Sequence, residues 1–323
     1  MANPRLYLDP WPAEYESSFQ IDEFDEDGSA EVDHTVEGTG WQEISPGSLE
    51  GPSMVHFVDG VRRVEARIIV DDDSGRLIRG LFGSVGAGAV RIEQGNATFE
   101  TLSVARYLVT TAATLLPLES LKIGNAELVF EPVSTVKGGP NAAVEELQTV
   151  MRTQEAALAL ALASESECVF ADGPLHYFSG GNHPAVGVIK RLIEPYLSAA
   201  QFDLVRKLQT GQRTPLFLIT KGKDHRYSWY LRVGTPRVMD HDVAGVLRLE
   251  VRTGVGLNRA IELANLSASF LPGMAAESFR DPRSPQNLMP IGALEHELRH
   301  RLGDGMTIRR AIEERLFTLS RPA

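Results

Sequence analysis

The sequence predicts an α/β fold built on a mixed sheet flanked by helices. Three observations predict it. Two short apolar runs, Val55 to Val58 and Cys168 to Ala171, each stop at Asp-Gly. An amphipathic segment from Asn141 to Ala163 separates them and is long enough for a helical crossover. Ahead of the crossover lie closely spaced strand-like segments, the pattern of an antiparallel meander.

Composition sets the class. The chain has 323 residues, 43% of them apolar and 23% charged, as in a globular protein able to bury a full core. No apolar run approaches the ~20 residues that span a bilayer. The opening Met-Ala-Asn-Pro-Arg lacks a basic-then-apolar leader, so a cytoplasmic protein is expected. Cys168 is the single cysteine, which excludes internal disulfides and cysteine-based zinc sites. A net charge of −11 argues against general polyanion binding.

The elements follow in order. Residues 1–50 are acidic and rich in turn formers, with Trp11 and Trp41 as anchors, and read as an extension packed on a core of residues 51–323. Strands are expected at Met54 to Asp59, Val64 to Val70 and Leu77 to Ile92. The link Asp71-Asp72-Asp73-Ser74-Gly75 is a hairpin signal. A mixed region covers Thr98 to Leu121, then a strand at Glu127 to Phe130. Asn141 is the expected N-cap of the crossover helix. After the strand ending at Asp172, a helix is expected near Pro184 to Tyr196. Strands follow at Pro215 to Thr220, Tyr227 to Val233 and Gly245 to Arg252. Helices close the chain at Leu257 to Ala268, Met289 to Leu302 and Thr307 to Leu316. By fold-level analogy, hairpin strands, a helical crossover and an acid-ending strand give the order of a ribonuclease H-like fold. Asp59 and Asp172 then become neighbours on adjacent parallel strands.

The crossover helix carries a misplaced charge. Its apolar stripe runs through Leu147, Met151, Leu158 and Leu162, and Glu155 falls inside it. An inward carboxylate is paired, neutralised or bound to metal. With Asp59 and Asp172 it suggests divalent-metal chemistry on phosphate esters. The plain alternatives are that each Asp-Gly is a turn and that Glu155 is half of a buried ion pair.

Two other patterns compete. Gly80, Gly83, Gly86 and Gly88 lack the Gly-Lys-Ser/Thr ending of a phosphate loop and read as a bent strand or flexible loop. His296-Glu297-Leu298-Arg299-His300 matches H-E-x-x-H, whose i,i+4 spacing puts two imidazoles on one helix face for zinc, with Glu297 as base. That is the pattern of a zinc peptidase. The helix is dense in charge, however, as a solvated face is. Few residues remain after it to supply a third ligand.

Several segments together resemble the NurA nuclease family. They are Phe57-Val58-Asp59-Gly60-Val61-Arg62-Arg63; Glu155 followed 17 residues later by Asp172 in Phe170-Ala171-Asp172-Gly173-Pro174-Leu175; Val186-Gly187-Val188-Ile189-Lys190; Trp229-Tyr230-Leu231-Arg232; and Pro285-Gln286-Asn287-Leu288-Met289-Pro290-Ile291-Gly292. The resemblance covers about residues 50–305. It implies a ribonuclease H-like, manganese-dependent deoxyribonuclease, with Mg²⁺ as the other candidate ion. It further implies single-strand endonuclease and 5′-to-3′ exonuclease activity, a homodimer, and work with a HerA-type hexameric ATPase in double-strand break end resection. The implied metal-binding and catalytic acids are Asp59, Glu155 and Asp172. A further C-terminal ligand falls to Asn287 or Glu295. Arg62, Lys190, Arg232 and Arg283 are the candidate phosphate contacts. A non-enzymatic subunit of a DNA-repair complex is a third reading, which the intact acids oppose.

Overall fold

A computed structural model describes residues 5–8, 30–38, 40–47, 51–71, 77–111, 120–180, 182–191 and 196–320. Trp11, most of the acidic run before residue 30, the hairpin link at 72–76 and residues 192–195 lie outside them.

The first strands are β1 (Arg5–Leu8), β2 (Glu31–Asp33), β3 (Met54–Asp71), β4 (Leu77–Glu93) and β5 (Asn96–Thr110). A small hairpin, β6 (Leu121–Ile123) and β7 (Ala126–Leu128), precedes β8 (Glu131–Ser134). The crossover helix α1 spans Ala142–Leu162. Then come β9 (Cys168–Asp172), β10 (Ala185–Ile189), α2 (Ala199–Lys207), β11 (Phe217–Lys221), β12 (Asp224–Arg232) and β13 (Val246–Arg252). Helices α3 (Leu257–Phe270), α4 (Met289–Arg301) and α5 (Gly305–Ser320) close the chain.

The main sheet has the order β2-β11-β12-β13-β10-β9-β3-β4-β5-β8, with β1 also pairing β3. Strands β3, β4 and β5 form the expected antiparallel meander. After the crossover, β9 returns parallel to β3, and β10 runs parallel to β9. That is the ribonuclease H-like arrangement, a large mixed sheet flanked by helices. Helix α1 packs on one face through Leu147, Met151 and Ala156; α3 and α4 pack on the other through Leu263, Ile291, Leu294 and Leu298.

The structure corrects several expectations. Asp59-Gly60 is not a turn, because β3 continues through it in unbroken pairing with β4 as far as Val64 opposite Gly83. Apolar residues resume at Val61 and Val64, and the neighbouring β4 supplies hydrogen bonds throughout, so the sheet overrides the local turn signal. Within Thr98 to Leu121, β5 runs as far as Thr110 and β6 begins at Leu121, and residues 112–119 lie outside the described residues. Pro184 to Tyr196 holds β10 instead of a helix: Val186-Gly187-Val188 is buried between two paired strands, where a continuous apolar run is the rule. Helix α2 was not anticipated, although Ser198 and Gln201 form its capping box. Asn141 begins α1 without a side-chain cap bond.

The glycines of β4 belong to a strand, and they make room for helices. A Cβ on Gly83 would meet Leu147 of α1, and one on Gly88 would meet Leu102 of β5 and approach Leu294 of α4. Part of the acidic N-terminal segment also docks. β2 pairs with β11, Trp41 Nε1 donates to Gln201 O at 3.0 Å, and Glu37 accepts from buried Arg213 at 2.6 and 2.8 Å.

Candidate metal centre

Asp59 and Asp172 are brought together by strand register. Val58 stands opposite Ala171 on parallel strands, so the next residue on each strand is an acid. Alternation puts Asp59 on the face of Phe57 and Val61, beneath α4. Glu295 of α4 completes a group: one carboxylate oxygen from each of Asp59, Asp172 and Glu295 lies within 4.8 Å of the others.

Glu295 carries the same signal that marked Glu155. It follows Ile291 by four residues and precedes Leu298 by three, both fully buried, so it sits in the inward stripe of α4. The family resemblance offers it beside Asn287 as the further C-terminal ligand. Asn287 is buried elsewhere in the network, where its Nδ2 donates to Asp281 Oδ2 at 2.7 Å.

Glu155 does not join the three. It approaches β3 from the opposite face at Gly60, where a Cβ would collide with Glu155 Oε1 and stand 3.0 Å from Met151 Cγ. Its Oε2 accepts from Arg152 Nη1 at 2.8 Å, and the same nitrogen donates to Asp172 O at 2.7 Å. The buried ion pair is therefore present, and the arginine ties it to the strand end that carries Asp172.

Most of these acids have a cation. Arg152 serves Glu155, Lys190 Nζ lies 2.6 Å from Asp172 Oδ1, and Arg283 Nη1 donates to Glu295 Oε1 at 2.8 Å. Among the described residues, Asp59 has none in contact. Its Oδ1 accepts from Gly60 N at 2.8 Å, while Oδ2 is buried without a partner. Burial, then the charges of Asp172 and Glu155, hold the Asp59 carboxyl well above the usual range; Lys190 opposes this and Glu295 adds to it. A buried, unpartnered carboxylate oxygen among two further acids fits a hard divalent cation, whose preferred ligands are oxygens.

The predicted phosphate contacts divide. Lys190 is at the cluster. Arg62 Nε donates to Gln148 of α1 at 2.5 Å, and Arg283 is held by Asp281 as well as Glu295. Arg232 is buried, its guanidinium donating to the carbonyls of Ala244, Arg206 and Asp242, so it braces the fold instead of meeting a ligand. Other arginines are likewise spent internally. Arg226 and Arg248 pair with fully buried Glu250, and Arg63 with Glu65.

The H-E-x-x-H segment lies on α4 with His296 and His300 exposed. Glu297 is paired with Arg301 at 2.7 Å. Among the described residues, the grouping able to hold a metal is the one at Asp59, Asp172 and Glu295, with neither histidine in it. Buried Cys168 is also no site, since burial pushes its thiol pKa up. No helix among the described residues is long and apolar enough to cross a membrane.

No protein-family model matches the sequence, and no curated protein does. Among solved structures the chain is similar to the NurA nuclease from Sulfolobus solfataricus, with 13% identity and a TM-score of 0.43 over 81% of this chain and 85% of that one. It is also similar to the catalytic domain of human Endonuclease V, with 17% identity and a TM-score of 0.37 over 79% and 85%. Ciona intestinalis Endonuclease V in complex with a 24mer DNA is similar as well, with 13% identity and a TM-score of 0.34 over 79% and 89%.

Proposed function

We propose that this chain is a divalent-metal-dependent nuclease that hydrolyses DNA phosphodiesters. The observation that carries the reading is the meeting of Asp59, Asp172 and Glu295 around a buried carboxylate oxygen that lacks a partner. When bound, Mn²⁺ or Mg²⁺ supplies an activated water and stabilises the leaving oxygen of the phosphodiester. The residues of the chain do the positioning. Asp59 and Asp172 are fixed by strand pairing, and Glu295 is aimed by Arg283. Arg152 joins Glu155 to the end of β9, and Lys190 presents its ammonium at the cluster for a phosphate oxygen.

The finer parts of the reading rest on the sequence resemblance. They are manganese as the preferred ion, single-strand endonuclease and 5′-to-3′ exonuclease activity, a homodimer, and cooperation with a HerA-type hexameric ATPase in end resection. The cytoplasm is the proposed location.

The test is incubation of the whole chain with end-labelled single- and double-stranded DNA, with Mn²⁺, Mg²⁺ or chelator. Cleavage should require a divalent ion and disappear in Asp59→Ala. An Asp59→Ala protein that cleaves within a few-fold of wild type removes the proposal.

A further inference from the structure

We infer that Lys190 is the displaceable cation of the acid cluster in the absence of metal, and that a divalent ion must displace it from Asp172. The inference rests on the metal site of the proposed nuclease, and concerns how that site is kept before the ion arrives.

Among the described residues four basic side chains reach these acids, and they are held very differently. Arg299 stands largely exposed, 3.9 Å from Glu295 Oε2. Arg283 is fixed by bonds from Nε and Nη2 to Asp281 as well as from Nη1 to Glu295. Arg152 is fixed by Glu155 and by the main-chain oxygen of Asp172. Lys190 has Asp172 as its charged partner, at 2.6 Å, and both side chains keep about a fifth of their surface exposed, at 18% and 20%.

An ammonium is a compact, strongly hydrated charge on a flexible stem, whereas a guanidinium in several bonds is locked. Lys190 can therefore leave Asp172 toward solvent at small cost, and Arg152 and Arg283 cannot leave their partners so. Asp172 is the acid it would release, and Asp172 is one of the three that converge. The ammonium also acts on Asp59, whose charged form it favours against burial and the neighbouring acids. Lys190 thus offsets repulsion in the metal-free cluster and competes with any cation that enters it.

The experiment is calorimetric titration of the whole chain with Mn²⁺ alone, without DNA. Lys190→Met removes the competitor, and should tighten Mn²⁺ binding about 5- to 20-fold while lowering the melting temperature of the metal-free protein. Lys190→Arg supplies a cation able to grip Asp172 with two bonds, and should weaken Mn²⁺ binding relative to wild type. Unchanged or weaker binding in Lys190→Met overturns the inference, as does absence of Mn²⁺ binding from all three proteins. If Lys190→Met does not fold, unchanged or tighter binding in Lys190→Arg overturns it. DNA cleavage is read separately: a wild type that binds Mn²⁺ and leaves DNA intact defeats the nuclease reading without touching this one.

Discussion

Asp59 and Asp172 stand side by side on parallel strands, one residue beyond the pair Val58 and Ala171, and their carboxylates form one group with Glu295 in which Asp59 is the buried member. Two like charges in that setting repel unless a cation lies between them. Replacing one with a neutral isostere removes both the repulsion and a ligand. Asp59→Asn should therefore raise the melting temperature of the metal-free protein by a few degrees, about 1 kcal/mol for a chain of this size. It should also abolish cleavage and the stabilisation by Mn²⁺. Differential scanning with and without the ion decides; a variant that melts below wild type and still cleaves shows that Asp59 is a structural acid.

Gly60 is the contact through which Glu155 reaches the sheet. A methyl group there collides with Glu155 Oε1 and crowds Met151. Arg152 restrains the carboxylate, so it cannot simply swing away. Gly60→Ala should cost about 1–3 kcal/mol, as overpacking does. Turnover on DNA should fall at least tenfold per folded molecule. Wild-type turnover in this variant would show that the position of Glu155 is irrelevant to the reaction.

His296 and His300 are exposed, and Glu297 is engaged with Arg301. His296→Ala and His300→Ala should leave DNA cleavage within about threefold of wild type and stability within about 0.5 kcal/mol, as for surface changes generally. Loss of tightly bound zinc together with all activity would return the zinc peptidase to first place.

Arg232 gives its guanidinium to three main-chain carbonyls in a buried site. Truncation leaves those acceptors unpaired and removes packed volume. Arg232→Ala should lose about 2–4 kcal/mol of stability, read as a lower denaturant midpoint. DNA affinity of the folded fraction should not change. A stable variant with weakened DNA binding would place Arg232 at the ligand after all.

Asp281 supports the site at one remove, because it holds the arginine that holds Glu295. Burial alone would raise its pKa, but hydrogen bonds from Arg283 and Asn287 outweigh that and bring it to about 2. A carboxyl depressed in the folded state stabilises above its unfolded pKa, near 4, and loses that contribution as pH falls toward 2. The stability difference between wild type and Asp281→Asn should be largest above pH ~4 and shrink on acidification. A constant difference across that window would contradict the assignment.

Much of this protein was legible from local pattern. The 3.6-residue stripe of α1 and its intruding Glu155, the strand ending at Asp172, the meander and the closing helices are all properties of short stretches of chain. Periodicity reports which face of an element is buried, and that is enough to mark an acid on the wrong side. Four features were decided only by neighbours distant in sequence. Pairing with β4 carried β3 straight through Asp59-Gly60, although the dipeptide by itself favours a turn. Burial between β9 and β13 made a strand of Val186 to Val188. The packing of α4 on the sheet chose Glu295 over Asn287 for the cluster, and the fold's interior claimed Arg232. A short window of sequence fixes what a residue can be; which charge it meets depends on strands and helices the window does not contain.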